Sequence, residues 1–231
     1  MAYRDEGCLT VTRAGTPLHL RENYMKRTNM GVETELEYNL KFFTQFIIHP
    51  TKTGAVLPSN ERLCELITDM ADLNDVSTVV ELGSGTGVIT EKILRKKGPE
   101  TNFFAMEINP TFVEATKRRC PDATVYQASA ENAGYHLELH GESGCDRIIS
   151  SLPWSTFNNE TQELILNSIY ETLNPGGKFL TYAYSLGLLF PSAWRLRRLL
   201  NSKFDKVVKS GIVWSNIPPA FIYICEKAPA E

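Results

Sequence analysis

The sequence predicts an α/β fold: a seven-stranded, mostly parallel sheet with helices on both faces, preceded by an N-terminal helical extension. Two observations carry that prediction. From Ser77 onward, short runs rich in β-branched and aromatic residues alternate with segments of helical period. The first such run ends in "VVELGSGTGVIT" (79–90), a glycine-rich turn that opens directly into a helical pattern. Strands are expected at 78–82, 102–107, 123–127, 146–151, 177–184, 206–214 and 220–226. Helices are expected near 87–97, 110–119, 159–173 and 192–201.

Ahead of this core, residues 1 to about 32 are polar, mixed in charge and weakly periodic, and read as an arm. From Glu33 the pattern turns helical. Glu33, Glu35 and Glu37 load the first turns, which suits the helix dipole, and Leu36, Leu40, Phe43 and Ile47 recur at helical spacing. Phe42 and Phe46 widen the stripe beyond what one packed face requires. Two readings stay open for it: a helix on the core, or a face for lipid or a partner helix. His49-Pro50 stops this helix, and Pro58-Ser59 opens the next, with Leu63, Leu66, Ile67 and Met70 as its buried face. A boundary near 57 divides a cap (1–57) from the main domain (58–231).

Composition excludes several classes. A formal net charge of -3 and a pI near 5.9 give no global attraction to nucleic acid. The five cysteines are scattered, odd in number and form no CxxC pair, which argues against a disulfide framework or a zinc site and for a reducing cytoplasm. The N-terminus carries charges of both signs and no apolar core, so no signal peptide is expected. The most apolar stretch, Tyr182 to Trp194, is broken by Gly187 and Pro191 and falls short of the roughly 20 residues of a membrane span. "HLELH" (136–140) is not H-E-x-x-H, so it reads as surface helix or loop and no metal is expected.

The glycine turn is the strongest motif. Gly83, Gly85 and Gly87 let the chain turn tightly and let backbone approach a ligand at the strand edge. The acid Glu81 precedes it, and the apolar strand "FFAMEIN" ends in Glu107, twenty positions after Gly87. An acid there is placed to accept both hydrogen bonds of a ribose diol. A dinucleotide fingerprint would put its third glycine at 88, which is valine. The G-x-G-x-G spacing after E-L instead resembles motif I of the class I S-adenosylmethionine-dependent methyltransferases, and the resemblance covers roughly 55–231. It implies a Rossmann-like fold, S-adenosylmethionine as cofactor, and cofactor contacts from Ile108 beside Glu107. In that family a G-D-A triplet after the third strand holds the adenine amino group. The matching triplet here is Ala128-Ser129-Ala130, which puts that contact on Ser129, Glu131 or backbone.

"SSLPWSTF" (150–157) lies where the family places its fourth strand's tip, and Ser151, Leu152, Pro153 and Trp154 resemble the N-L/I-P-Y/F form of nitrogen methyltransferases. Serine stands for asparagine, and tryptophan for tyrosine. In-line methyl transfer needs mainly an aligned, unprotonated nitrogen. A turn stiffened by Pro153 is expected to aim backbone carbonyls at the nitrogen's hydrogens, and Trp154 to offer an aromatic face to the ammonium that forms. The other reading of Pro-Trp is a loop anchor.

Three further stretches resemble the bacterial phospholipid N-methyltransferases, which convert phosphatidylethanolamine stepwise to phosphatidylcholine. Phe42, Phe43, Pro50, Gly54, Ala55, Pro58 and Ser59 match their entry pattern, implying cofactor contacts at Thr53 and Gly54. "SSLPWSTF" and "VVKSGIVWSNIPPAFIY" (207–223) are also similar to that family. In "YSLGLLFPSAWRLRRLLNSKFDKVVK" (184–209), apolar Leu186, Leu188, Leu189, Phe190 and Trp194 adjoin Arg195, Arg197, Arg198 and three lysines. That mixture suits an anionic bilayer surface, with Tyr184 as an amine-pocket candidate. The expectation is a monomeric, cytoplasmic enzyme lying on the inner face of the membrane and acting on the amine of phosphatidylethanolamine. Rivals are a methyltransferase of another aminolipid such as ornithine lipid, and a ribosomal RNA adenine dimethyltransferase. The latter's basic C-terminal helical domain has no counterpart in this sequence, so no nucleic acid partner is expected.

Overall fold

A computed structural model describes residues 61–185 and 191–230. The expected N-terminal helix, the boundary near 57, Thr53 and Gly54 lie outside the described residues, as do Leu186 to Phe190. In chain order the elements are α1 (Glu61–Ala71), β1 (Thr78–Leu82), α2 (Val88–Lys96), β2 (Asn102–Glu107), α3 (Pro110–Arg119), β3 (Thr124–Gln127), α4 (Ala133–Leu139), β4 (Cys145–Ser150), α5 (Asn159–Thr172), β5 (Leu173–Tyr184), α6 (Pro191–Lys203), β6 (Lys206–Lys209) and β7 (Ala220–Glu226). Single 3-10 turns occupy Ala130–Asn132 and Trp154–Thr156.

The sheet has the order β3-β2-β1-β4-β5-β7-β6. Neighbours from β3 to β5 pair in parallel, while β7 pairs antiparallel with both β5 and β6, so β7 alone is reversed. All five residues of β1 are buried, as the central strand of a doubly covered sheet requires. The order reverses between β1 and β4, whose C-terminal ends therefore open the crevice in which such folds bind ligands.

α1 packs Leu63 and Ile67 into the core at 0% exposure, while Leu66 and Met70 are only partly covered. It is tied to α2 by Lys92 and Lys96, which reach Glu65 at 2.8 and 2.5 Å. Asn109 and Asn158 cap α3 and α5, each accepting a backbone N–H through its side chain. At the sheet's other end the Asp146 carboxylate accepts the N–H groups of Ser77 and Thr78 and the side-chain amide of Asn174. One side chain thereby pins the starts of β1, β4 and β5.

The structure differs from the sequence expectation in three places. β5 begins at Leu173, so Asn174-Pro175-Gly176-Gly177 is a bulged strand start rather than a turn before it: the pairing jumps from Cys145↔Leu173 to Arg147↔Lys178. β6 ends at Lys209, because beyond Ser210 the ladder breaks at Gly211 and re-forms only as one bridge, Val213↔Ala220. The "HLELH" stretch ends a helix whose His136 is buried. Its ring lies 4.3 Å from that of Tyr126, while His140 stacks on Phe104 at 4.8 Å. Among the described residues no cluster of metal-binding side chains occurs.

Candidate active site

The turn after β1 is built so that its backbone faces outward. Gly83, Gly85 and Gly87 all sit at positive φ (80°, 56° and 80°), where only glycine is relaxed. Around them the turn is held tightly. Gly83 N–H donates to the Met106 carbonyl at 2.7 Å, and Gly87 N–H to Ser84 at 2.9 Å. Thr116 of α3 donates its hydroxyl to the Gly85 carbonyl at 2.9 Å and shares a second bond with the Ser84 hydroxyl at 3.0 Å. A methyl group at Gly87 would meet the Thr116 backbone at 3.2 Å, whereas one at Gly85 would enter open space. Gly85 therefore looks into the cradle and Gly87 into the protein.

Two carboxylates frame that cradle. Glu81, 1% exposed, accepts the Thr90 hydroxyl at 2.6 Å on one oxygen, while Oε1 has no partner among the described residues. Burial pushes its carboxyl up to about 8, helped by nearby Glu107 and opposed by Thr90. Glu107 accepts the N–H groups of Gly85 at 3.0 Å and Asn109 at 2.9 Å, one on each oxygen. Burial raises its carboxyl as well, and those backbone donors oppose the rise. A carboxylate has about four acceptor sites, so Glu107 keeps acceptor capacity for a ribose hydroxyl. Ile108 follows it, partly exposed, as an apolar flank.

The exit of β3 lies beside Glu107, because Ala128 N–H donates to the Glu107 carbonyl at 3.1 Å. Ser129 directs its hydroxyl to the Glu131 carboxylate, and Ala130 is buried. The triplet and Glu107 are thus one edge of the site, with Glu131 and Ser129 as a coupled polar pair.

The tip of β4 meets the glycine turn directly. Ser151 N–H donates to the Leu82 carbonyl at 3.0 Å, and the Ser151 hydroxyl donates to the Gly83 carbonyl. Ser151 and Leu152 are partly exposed there, with the Leu152 side chain packed toward Gly83. The next two residues turn away. Trp154 is 4% exposed; its ring packs edge-on against Phe157 and Phe179, and its indole N–H donates to Thr181 at 2.9 Å. The expectation of an aromatic face for an ammonium is therefore corrected: Trp154 is an anchor, as its alternative reading had it. The carbonyls are engaged as well. Pro153 accepts both the N–H and the hydroxyl of Thr156, and Trp154 accepts the Gln162 amide at 2.6 Å. What the stretch presents to the crevice narrows to Ser151 and Leu152.

Tyr184 ends β5 opposite Ala220, with its ring 5.8 Å from that of Tyr182. Arg197 and Arg198 are exposed on α6 and Arg195 is partly covered; among the described residues no hydrogen bond or ion pair joins any of the three to the glycine turn. Sequence reasoning missed Thr90, Thr116, Gln162 and Thr181. Thr90 follows the glycines by a single helical turn, a usable signal; the other three belong to no motif.

These features fit S-adenosylmethionine. The buried, unpartnered Glu81 oxygen suits an ammonium donor, the open side of Gly85 suits close approach to backbone, and Glu107 has acceptor capacity left for a ribose. Comparisons agree. A methyltransferase domain model matches residues 79–177. An ornithine lipid N-methyltransferase of Singulisphaera acidiphila is 26% identical over 189 residues, covering 80% of this chain and 93% of that one. Among solved structures, an S-adenosylmethionine-dependent O-methyltransferase of Thermotoga maritima superposes with a TM-score of 0.57 at 14% identity, over 79% of this chain and 71% of that one. The magnesium protoporphyrin IX methyltransferase of Synechocystis, solved with bound S-adenosylmethionine, gives 0.56 at 9% identity over 73% and 77%. The two solved structures share the fold.

Proposed function

We propose that this chain is a class I S-adenosylmethionine-dependent methyltransferase that methylates the primary amine of a membrane aminolipid, ornithine lipid or phosphatidylethanolamine. The observation that carries the reading is the likeness to an ornithine lipid N-methyltransferase across nearly that protein's whole length. A ribosomal RNA substrate has narrower support: the likeness to a probable ribosomal RNA small subunit methyltransferase A of Methanococcoides burtonii covers 27% of this chain and 22% of that one, and the chain is acidic overall.

The cofactor supplies an electrophilic methyl on a sulfonium. The chain's own residues hold and orient. Glu81, Gly85 and Glu107 are the proposed cofactor contacts, with Ser129, Ala130 and Ile108 around the base. Ser151 and Leu152 form the wall against which an amine is aligned, and alignment is the main requirement of an in-line displacement. A free primary amine titrates near 10, and burial together with neighbouring positive charge favours its neutral form. Tyr184 at the end of β5 is a further candidate for the amine side. Stepwise addition to the trimethylated product is part of the phosphatidylethanolamine reading.

Mass spectrometry tests the assignment. A host that makes both aminolipids and expresses the protein should accumulate methylated aminolipid, and the same host expressing Gly85→Ala should not. Unchanged lipids with newly methylated ribosomal RNA would reject it.

A further inference from the structure

The loop between β6 and β7 is an unusual surface feature. Its residues Ser210 to Pro219 contain no charged side chain, yet Trp214 and Ile217 are 73% and 64% exposed. They are not the loose side chains of a floppy loop. Val213 and Asn216, which alternate with them, are buried at 7% and 1%. Val213 N–H donates to the Ala220 carbonyl at 2.7 Å, and the Asn216 side chain donates to the Pro218 carbonyl at 2.6 Å. Ser185 donates to the Pro219 carbonyl through its N–H at 2.8 Å and through its hydroxyl at 3.0 Å, so the tip is fastened to the exit of β5. The fold spends buried polar contacts on holding an indole and an isoleucine out in water.

The tip's position is informative. Ala220 pairs with Tyr184 at the C-terminal end of β5, so the tip stands at the sheet edge that carries the glycine turn and Ser151. The charges around it have one sign on the α6 side. From Pro191 to Cys225 the sole acid is Asp205, at the far end of β7, where its backbone N–H donates to the Glu226 carbonyl and its carboxylate accepts the Ala228 N–H. Lys209 places its ammonium 4.5 Å from the Phe221 ring at the tip's base, and Arg197 and Arg198 are exposed on α6, which packs on β6. On the other side a groove of about 520 Å³ runs between the tip and α1, and its acids Glu65 and Asp69 are matched by Lys92 and Lys96.

We infer that Trp214 and Ile217 form an interfacial anchor that inserts into an anionic phospholipid surface and turns the cofactor edge of the sheet toward the bilayer. An amphipathic indole and a branched apolar side chain on a charge-free tip, flanked by lysine and arginine, combine the two attractions that hold peripheral proteins on such surfaces. The inference rests on the aminolipid reading for its purpose, since a substrate held in a bilayer requires the active edge to face it. Its physical test does not depend on that reading.

The test is sedimentation of the full chain with phosphatidylglycerol vesicles, set beside methyl transfer to a short-chain aminolipid dispersed as monomers. Trp214→Ala combined with Ile217→Ala should weaken vesicle partitioning by about tenfold or more, from the lost apolar burial, while turnover on the monomeric lipid persists. Trp214→Phe, which keeps an apolar ring, should retain most of the partitioning and guards against a folding artefact. Partitioning of the double variant equal to wild type would overturn the inference. So would equal loss of turnover on monomeric and vesicle substrate, which would make the tip part of the substrate pocket. If wild type methylates neither form while the double variant still loses its vesicle binding, the aminolipid reading fails and the anchor stands.

Discussion

The Ser151 hydroxyl donates to the carbonyl oxygen of Gly83, joining the tip of β4 to the first glycine of the turn after β1. Residues 68 positions apart thereby share one edge. The wall proposed for the acceptor and the cradle proposed for the cofactor are mechanically one piece, and the serine that stands where related motifs carry asparagine has a structural reason to be there. Ser151→Ala removes this bond and keeps the Ser151 N–H bond to Leu82. A net contribution of about 1 kcal/mol translates into roughly fivefold weaker cofactor affinity, with kcat at saturating cofactor little changed. Calorimetric titration with S-adenosylhomocysteine checks the first part and initial rates the second.

Trp154 acts as a buried anchor clamped at both ends, by Thr181 on its indole and Gln162 on its carbonyl. Trp154→Ala should cost about 3–5 kcal/mol of stability, visible as a fall of roughly 10 °C or more in melting temperature. Trp154→Phe keeps the ring packing and loses only the Thr181 bond, so its cost should be nearer 1 kcal/mol. Lost activity in Trp154→Ala with an unchanged melting temperature would show that the ring acts on the substrate instead.

The contrast between two glycines separates folding from binding. Gly87→Ala would press its methyl on the Thr116 backbone at 3.2 Å and should lower the melting temperature. Gly85→Ala faces open space and carries only the backbone strain of a φ of 56°, about 1–2 kcal/mol. Its larger effect should be on cofactor binding, because the methyl enters the cradle. Thermal melts with and without S-adenosylhomocysteine distinguish the two.

As a proposed cofactor contact, Glu81 is expected to make binding depend on pH. Its folded-state carboxyl is raised to about 8, above the ordinary 4.5, by burial. The free protein therefore holds this proton at neutral pH, and the associated stability is full below about 4.5 and is lost as pH rises through about 8. A cationic ligand group favours the ionised carboxylate, so binding should release a proton and tighten as pH rises from 6 to 8. Calorimetry at pH 7 in buffers of different ionisation enthalpy should report that proton, and Glu81→Gln should abolish both the release and the pH slope.

Legibility followed chemistry that is local in sequence. β1, the glycine turn, β2 and Glu107 could be read because β-branched runs, glycines and a terminal acid sit within one strand–turn–helix–strand unit. The orientation of Trp154 could not, since Thr181 and Gln162 lie 27 and 8 positions away in ordinary helical and strand patterns. The bulged start of β5 was hidden because Asn-Pro-Gly-Gly is equally good turn chemistry, and only pairing with β4 decides between the two. His136 and His140 read as surface residues in "HLELH", yet the aromatic side chains of β2 and β3 pack on both rings, burying His136 and partly covering His140.

The measurement that tests the proposed activity most directly is transfer of labelled methyl from S-adenosylmethionine by the purified protein to vesicles containing ornithine lipid or phosphatidylethanolamine, with the lipids then separated by chromatography. Label in a methylated aminolipid, absent with Gly85→Ala, is the predicted result. Label in ribosomal RNA and none in either lipid would contradict it.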